Sequence, residues 1–121
     1  MENDNIVKTK SYAFAVRIIK LYQMLVRGKK ELVLARQLLR SGTSIGANIE
    51  EAVGGQSRAD FVSKISIAYK EARETRYWLC LLKDTDYLTQ EQFESIYKDI
   101  EELYRIITAI QKTTKKSFSN S

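Results

Sequence analysis

Apolar residues recur at spacings of three and four in four separate runs, the pattern of helices that each bury one face. The first run predicts a helix over residues 9–27. Phe14, Ile18, Leu21 and Leu25 form its main stripe, and Tyr12, Val16, Ile19 and Val26 lie beside it. Gly28 follows where a left-handed C-terminal cap belongs. The second run predicts a helix over 30–53, leucine-rich from Leu32 to Leu39 and stopped by Gly54 and Gly55. The third, over 58–83, opens on Ser57 and Asp60, a capping-box spacing with aspartate in place of glutamate. Phe61, Ile65, Ala68, Ala72, Thr75, Leu79 and Leu82 keep one unbroken seam along it. The fourth, over 90–114, opens on a full capping box, Thr89 to Gln92, and carries Phe93, Ile96, Ile100, Leu103, Ile107 and Ile110. On its outer face Glu94 pairs with Lys98, and Glu101 with Arg105, at i, i+4. From Lys112 the chain turns polar and is expected to fray, leaving 115–121 as a tail. Four long helices joined by short turns give one all-α domain over 1–121, an antiparallel up-down-up-down four-helix bundle.

The second helix has an unusual middle. Between Arg40 and Glu50 it carries no charge and is built mostly of glycine, alanine, serine and threonine. Ala35, Leu38, Gly42, Ile45, Ile49 and Ala52 nevertheless keep the seam. Small residues let backbones approach, so Gly42 and Gly46 are expected at close helix contacts, together with Ala68 and Ala72 of the third helix. Ser41, Ser44 and Asn48 share one side and read as hydrogen-bonding positions within a packed contact rather than as a ligand site.

Composition removes several kinds of chemistry. The 121 residues include no histidine, so the commonest general base and metal ligand are missing. Glu50, Glu51, Glu71 and Glu74 could not complete a di-iron site without imidazoles. The one cysteine, Cys80, has no base to activate it and lies at the edge of a seam, where a small inert thiol is expected. The glycines are not followed by a Gly-Lys-Ser/Thr element, so no phosphate loop is present. No catalytic residue, metal or cofactor is expected. A single cysteine fits a reducing compartment. No apolar run approaches the ~18 residues of a membrane span. With the polar, acidic start of the chain, this predicts a cytoplasmic protein with no membrane partner.

Two surfaces remain as candidates. Net charge is +5, from 20 Lys+Arg against 15 Asp+Glu, a mild bias toward anionic partners. Lys29, Lys30, Arg36 and Arg40 gather at the first turn and on one face of the second helix, and are the candidate nucleic-acid contacts. No aromatic residues interleave them, so phosphate contact without base stacking is expected there. Ile67, Tyr77, Trp78 and Leu81 put apolar surface on the outer side of the third helix, and are the candidate subunit contacts.

The run Arg40-Ser-Gly-Thr-Ser-Ile-Gly-Ala-Asn-Ile-Glu-Glu-Ala52, followed by Asp60-Phe61 and by Ile67-Ala-Tyr-Lys-Glu-Ala-Arg-Glu-Thr75, resembles a known family. These are the small four-helix-bundle proteins encoded within intervening sequences of bacterial 23S ribosomal RNA genes. Accessory proteins of diversity-generating retroelements are similar relatives. The resemblance covers nearly the whole chain. Lys70-Glu71 stand where many members have two small residues, and the two subfamilies are not separated. The resemblance implies a ring-shaped homopentamer with a basic surface that binds nucleic acid, RNA favoured, and implies neither catalysis nor a cofactor. The positions it carries over are structural: Ser44, Asn48, Asp60, Phe61 and Glu74, with Ser41 upstream. The competing reading is a protein-interaction scaffold that does not touch nucleic acid.

Overall fold

The computed structural model describes residues 2–119, with side chains from 5 to 115. It is a four-helix bundle of α1 (Glu2–Arg27), α2 (Val33–Val53), α3 (Arg58–Asp84) and α4 (Gln90–Ser119). Each helix packs on the one before it, and α1 also meets α4, closing a square. Among the described residues the α2/α3 contact is the most extensive and α1/α4 the least. Among the same described residues the backbones of the diagonal pairs do not come close.

The core follows the seams expected from periodicity, except that Leu21, Phe61 and Phe93 are half-buried at its margin. Phe14, Ile18 and Leu25 of α1 are fully buried, as are Leu38, Ile45 and Ile49 of α2. Ile65, Leu79 and Leu82 of α3 join Ile100, Leu103 and Ile107 of α4. Ala68 and Ala72 are also sealed. The close approaches of the glycines are to α1. A Cβ on Gly42 would stand 2.8 Å from both γ carbons of Ile18, and one on Gly46 would stand 3.2 Å from the Ser11 carbonyl oxygen.

Several boundaries differ from expectation. Helix α1 starts seven residues before residue 9, because nothing breaks it and Val7 continues the buried stripe. Helix α2 starts at Val33, not at Lys30. Lys30 itself takes the left-handed conformation expected of Gly28, with φ 56°, and no glycine has a positive φ. A helix cannot run through such a residue. The Glu31 N–H then reaches back to the Leu25 carbonyl at 3.1 Å. The Glu31 carboxylate caps the new helix by accepting from the Ala35 N–H at 2.9 Å. Helix α4 continues through the expected fraying point to Ser119, since no proline or glycine interrupts it.

The other caps form as the sequence indicates. Ser57 Oγ accepts from the Asp60 N–H at 3.0 Å. Thr89 and Gln92 exchange both bonds of a capping box, at 2.9 and 3.1 Å. At the end of α3, Asp86 is left-handed (φ 69°). The N–H groups of Tyr87 and Asp86 close onto the Leu82 and Lys83 carbonyls.

Candidate nucleic-acid interface

Lys29, Lys30 and Arg36 are exposed at the α1–α2 end of the bundle, and none has a carboxylate partner among the described residues. Arg40 does not belong with them. Its guanidinium bridges to α3, donating to Glu71 Oε2 at 3.0 Å and to Glu74 Oε1. The Trp78 indole N–H donates to the same Glu74 oxygen at 3.1 Å. Desolvation pushes the Glu74 carboxyl up, but the bonds from Arg40 and Trp78 outweigh it and hold the group below the ordinary carboxylate range. The hydrogen bond to Glu74 likewise holds Arg40 above its usual value. Arg40 is therefore an interhelix latch, and its charge is already used.

The small polar positions divide in the same seam. Ser41 and Thr75 are fully buried and their hydroxyls lie 3.0 Å apart across the α2/α3 contact. Ser44 and Asn48 bond within their own helix instead, Ser44 Oγ to the Arg40 carbonyl at 2.6 Å and Asn48 Nδ2 to the Ser44 carbonyl at 2.8 Å. Asp60 is exposed at the start of α3, and Phe61 beside it is half-buried.

The expected subunit contacts do not form one free face. Ile67 and Tyr77 are exposed, Tyr77 at 58%. Trp78 and Leu81 are half-buried, and Trp78 packs on the core while bonded to Glu74. A second apolar stripe is open on α1, where Tyr12 is 73% exposed and Val16 and Ile19 follow it. Beside Tyr12 lies a cleft of about 380 Å³ floored by Ala15, Thr43, Gly46 and Ala47.

The α3/α4 seam holds an arrangement that sequence reasoning missed. The rings of Tyr69 and Tyr104 stack with centroids 5.4 Å apart, and their hydroxyls are hydrogen-bonded at 3.0 Å. Arg76 lies over Tyr104 at 4.3 Å, and Arg73 over Tyr69 at 5.9 Å. Higher in the seam Phe93 stacks on Tyr97 at 4.8 Å, with Lys83 over Phe93 at 5.0 Å. Two aromatic stacks are thus flanked by cations. The Tyr69–Tyr104 bond splits the pair. It raises Tyr69 and lowers Tyr104, the latter helped by the nearby guanidiniums. Glu101 approaches Arg76 Nε at 2.8 Å rather than pairing with Arg105 along its own helix. Arg105 and Lys98 are left exposed, without a carboxylate partner among the described residues. The signal was available in spacing, since Tyr69, Arg73 and Arg76 fall at i, i+4, i+7 and Tyr97 and Tyr104 seven apart.

Among the described residues no three His, Cys, Asp or Glu side chains gather to hold a metal. Among these residues no helix is long and apolar enough to cross a membrane. Comparison with known proteins gives a family match and matches among solved structures. A family model described as 23S rRNA-intervening sequence protein matches residues 3–109. A solved structure of a protein of unknown function, from the S23 ribosomal protein family of Bacteroides thetaiotaomicron, is 57% identical. It covers 91% of this chain and 98% of its own, with a TM-score of 0.89. No curated protein matches.

Proposed function

Because the chain belongs to the 23S rRNA-intervening sequence protein family, we propose that it is a non-enzymatic, self-associating cytoplasmic module that binds nucleic acid, RNA in preference, through its basic surface. The observation that supports this is the group Lys29, Lys30 and Arg36, three exposed cations gathered at one end with no carboxylate beside them among the described residues. Cations placed this way contact phosphate and release counterions, which gives affinity without reading sequence.

Self-association is supported by exposed apolar side chains in two places, the Tyr12, Val16 and Ile19 stripe and the separate side chains Ile67 and Tyr77. They lie on α1 and α3, which are diagonal in the square. Unlike patches on opposite sides of a subunit suit a head-to-tail contact, which closes into a ring when the rotation permits. The number five comes from the family resemblance. Ring closure would repeat each exposed cation around the axis and raise a modest monomer charge to a substantial field.

The test has two arms. Light scattering should find an oligomer for the wild type and smaller species for Ile67→Glu and Tyr77→Glu, because a charge in an apolar contact is costly. A monomeric wild type would refute the ring. A salt titration of RNA binding should show affinity falling steeply with salt, and a shallower slope in the Lys29→Glu/Lys30→Glu/Arg36→Glu variant. No binding at ~50 mM salt would favour the scaffold reading.

A further inference from the structure

We infer that the α3/α4 seam is a binding groove for single-stranded nucleic acid, with Arg73 and the Tyr69/Tyr104 stack as the platform for bases and Lys98, Arg105 and Lys112 as the phosphate track. The inference rests on the nucleic-acid reading and specifies the kind of strand and the face that holds it.

Three features of the seam point this way. The first is the pairing of π surface with positive charge. The Arg73 guanidinium lies over Tyr69, and Arg73 is an exposed residue. An exposed guanidinium offers a plane of its own, and unpaired bases stack on such planes as they do on aromatics. The second is the charge track. Lys98, Arg105 and Lys112 recur every seven residues along the exposed side of α4, about 10 Å apart at 1.5 Å per residue. No carboxylate pairs with them among the described residues. Of the carboxylates beside this track, Glu101 pairs with Arg76 and Glu102 with Lys10. The third is the contrast with the α1–α2 end, whose cations have no aromatic residue stacked beside them among the described residues. Duplex backbone can be gripped by cations alone, whereas a groove that adds stacking rewards bases freed from pairing.

The experiment measures fluorescence anisotropy of a labelled 12-nucleotide oligouridine and of a 12-base-pair RNA duplex across a salt series. It uses the wild type, Arg73→Lys, Arg73→Glu/Arg105→Glu and Lys29→Glu/Lys30→Glu/Arg36→Glu. The substituted side chains are exposed, and helical circular dichroism and light scattering confirm fold and assembly. The wild type should bind the single strand more tightly than the duplex. Arg73→Lys keeps the charge and removes the plane. It should weaken the single strand ~10-fold with an unchanged salt slope, and leave the duplex unaffected. Arg73→Glu/Arg105→Glu should also flatten the slope for the single strand, by roughly 0.7 for each phosphate that is no longer neutralised. The inference is overturned, with the nucleic-acid reading intact, if the wild type prefers duplex. It is equally overturned if the α3/α4 variants bind like the wild type while the Lys29/Lys30/Arg36 variant does not. A wild type that binds neither probe at ~50 mM salt removes the nucleic-acid reading and this inference with it.

Discussion

Gly42→Ala should destabilise the protein, and the same change should stabilise it once Ile18 is cut back to alanine. The new methyl would sit 2.8 Å from Ile18 Cγ1 and Cγ2 and 3.2 Å from Cδ1. Carbon atoms in contact prefer about 3.5–4.0 Å. Ile18 is fully buried and β-branched, so its χ1 cannot swing away and α1 must move instead. Overpacking of this kind costs about 1–3 kcal/mol. Against it, alanine is better than glycine in a helix by about 1 kcal/mol. The net loss is therefore about 1 kcal/mol. Ile18→Ala alone should cost about 2–5 kcal/mol through the cavity it leaves. In that background all three clashing atoms are gone. The methyl introduced by Gly42→Ala then gains its helix propensity and about 0.8 kcal/mol of burial. Adding Gly42→Ala to Ile18→Ala should thus raise stability by about 1–2 kcal/mol, a reversal of sign. Urea denaturation of the four proteins, followed by helical circular dichroism at one protein concentration, measures the cycle. A fixed concentration matters because association adds to apparent stability. A stabilising Gly42→Ala in the wild type, or additive effects in the cycle, would refute the close approach of α2 to α1.

Ala72→Leu should cost about 1–3 kcal/mol, since the alanine is sealed in the core, and unchanged thermal stability would place it outside the seam. Lys30→Gly should raise stability by about 0.5–1 kcal/mol, because glycine takes the φ of 56° without the side-chain penalty; a loss would mean that the lysine side chain does more for folding than its conformation costs. Glu74→Gln should lower stability at neutral pH and flatten the acid limb of the pH–stability curve. The folded-state pKa of Glu74 is depressed, so its contribution is complete above the unfolded value near ~4.3 and disappears as pH falls through the folded value. Parallel curves for wild type and variant down to acid would show that the Arg40 latch contributes nothing.

The seams are legible in the sequence because burial imposes a period on each helix separately. Ala35 through Ala52 and Ile65 through Leu82 can be read from one stretch of chain at a time, and the core follows them. The latches are not legible, because their partners lie far apart. Arg40 has no acidic residue three or four positions before it, yet Glu71 and Glu74 meet it from the next helix. Glu101 stands at pairing distance from Arg105 along α4, yet Arg76 comes closer from α3. The tyrosines of the α3/α4 seam look like ordinary apolar surface in sequence, since stacking between helices depends on their axial register. Trp78 looks like part of a subunit face because its position on a helical wheel is peripheral. A long indole at the margin of a seam can still fold back onto the core and bond to Glu74. At the α1–α2 turn, composition favours Gly28 as the left-handed residue. The Glu31 cap on α2 sets the geometry two residues later, at Lys30.

Packing between successive helices, with α1 and α4 as the one contact between distant segments among the described residues, also dictates how the chain folds. Nearly every contact can form by closing a short turn, so little loop entropy opposes the early steps and the topology is a fast-folding one. Docking of the two outermost helices closes the longest loop and carries the largest closure cost, so it should come last. Among the described residues their seam is the thinnest of the four, and it is laced by exposed pairs, Lys10 with Glu102 and Arg17 with Asp99. Such pairs are worth little and weaken in salt. Reversible opening in the native state should therefore begin along α1 and α4, with amides there exchanging before those of the α2–α3 hairpin in a native-state hydrogen-exchange experiment.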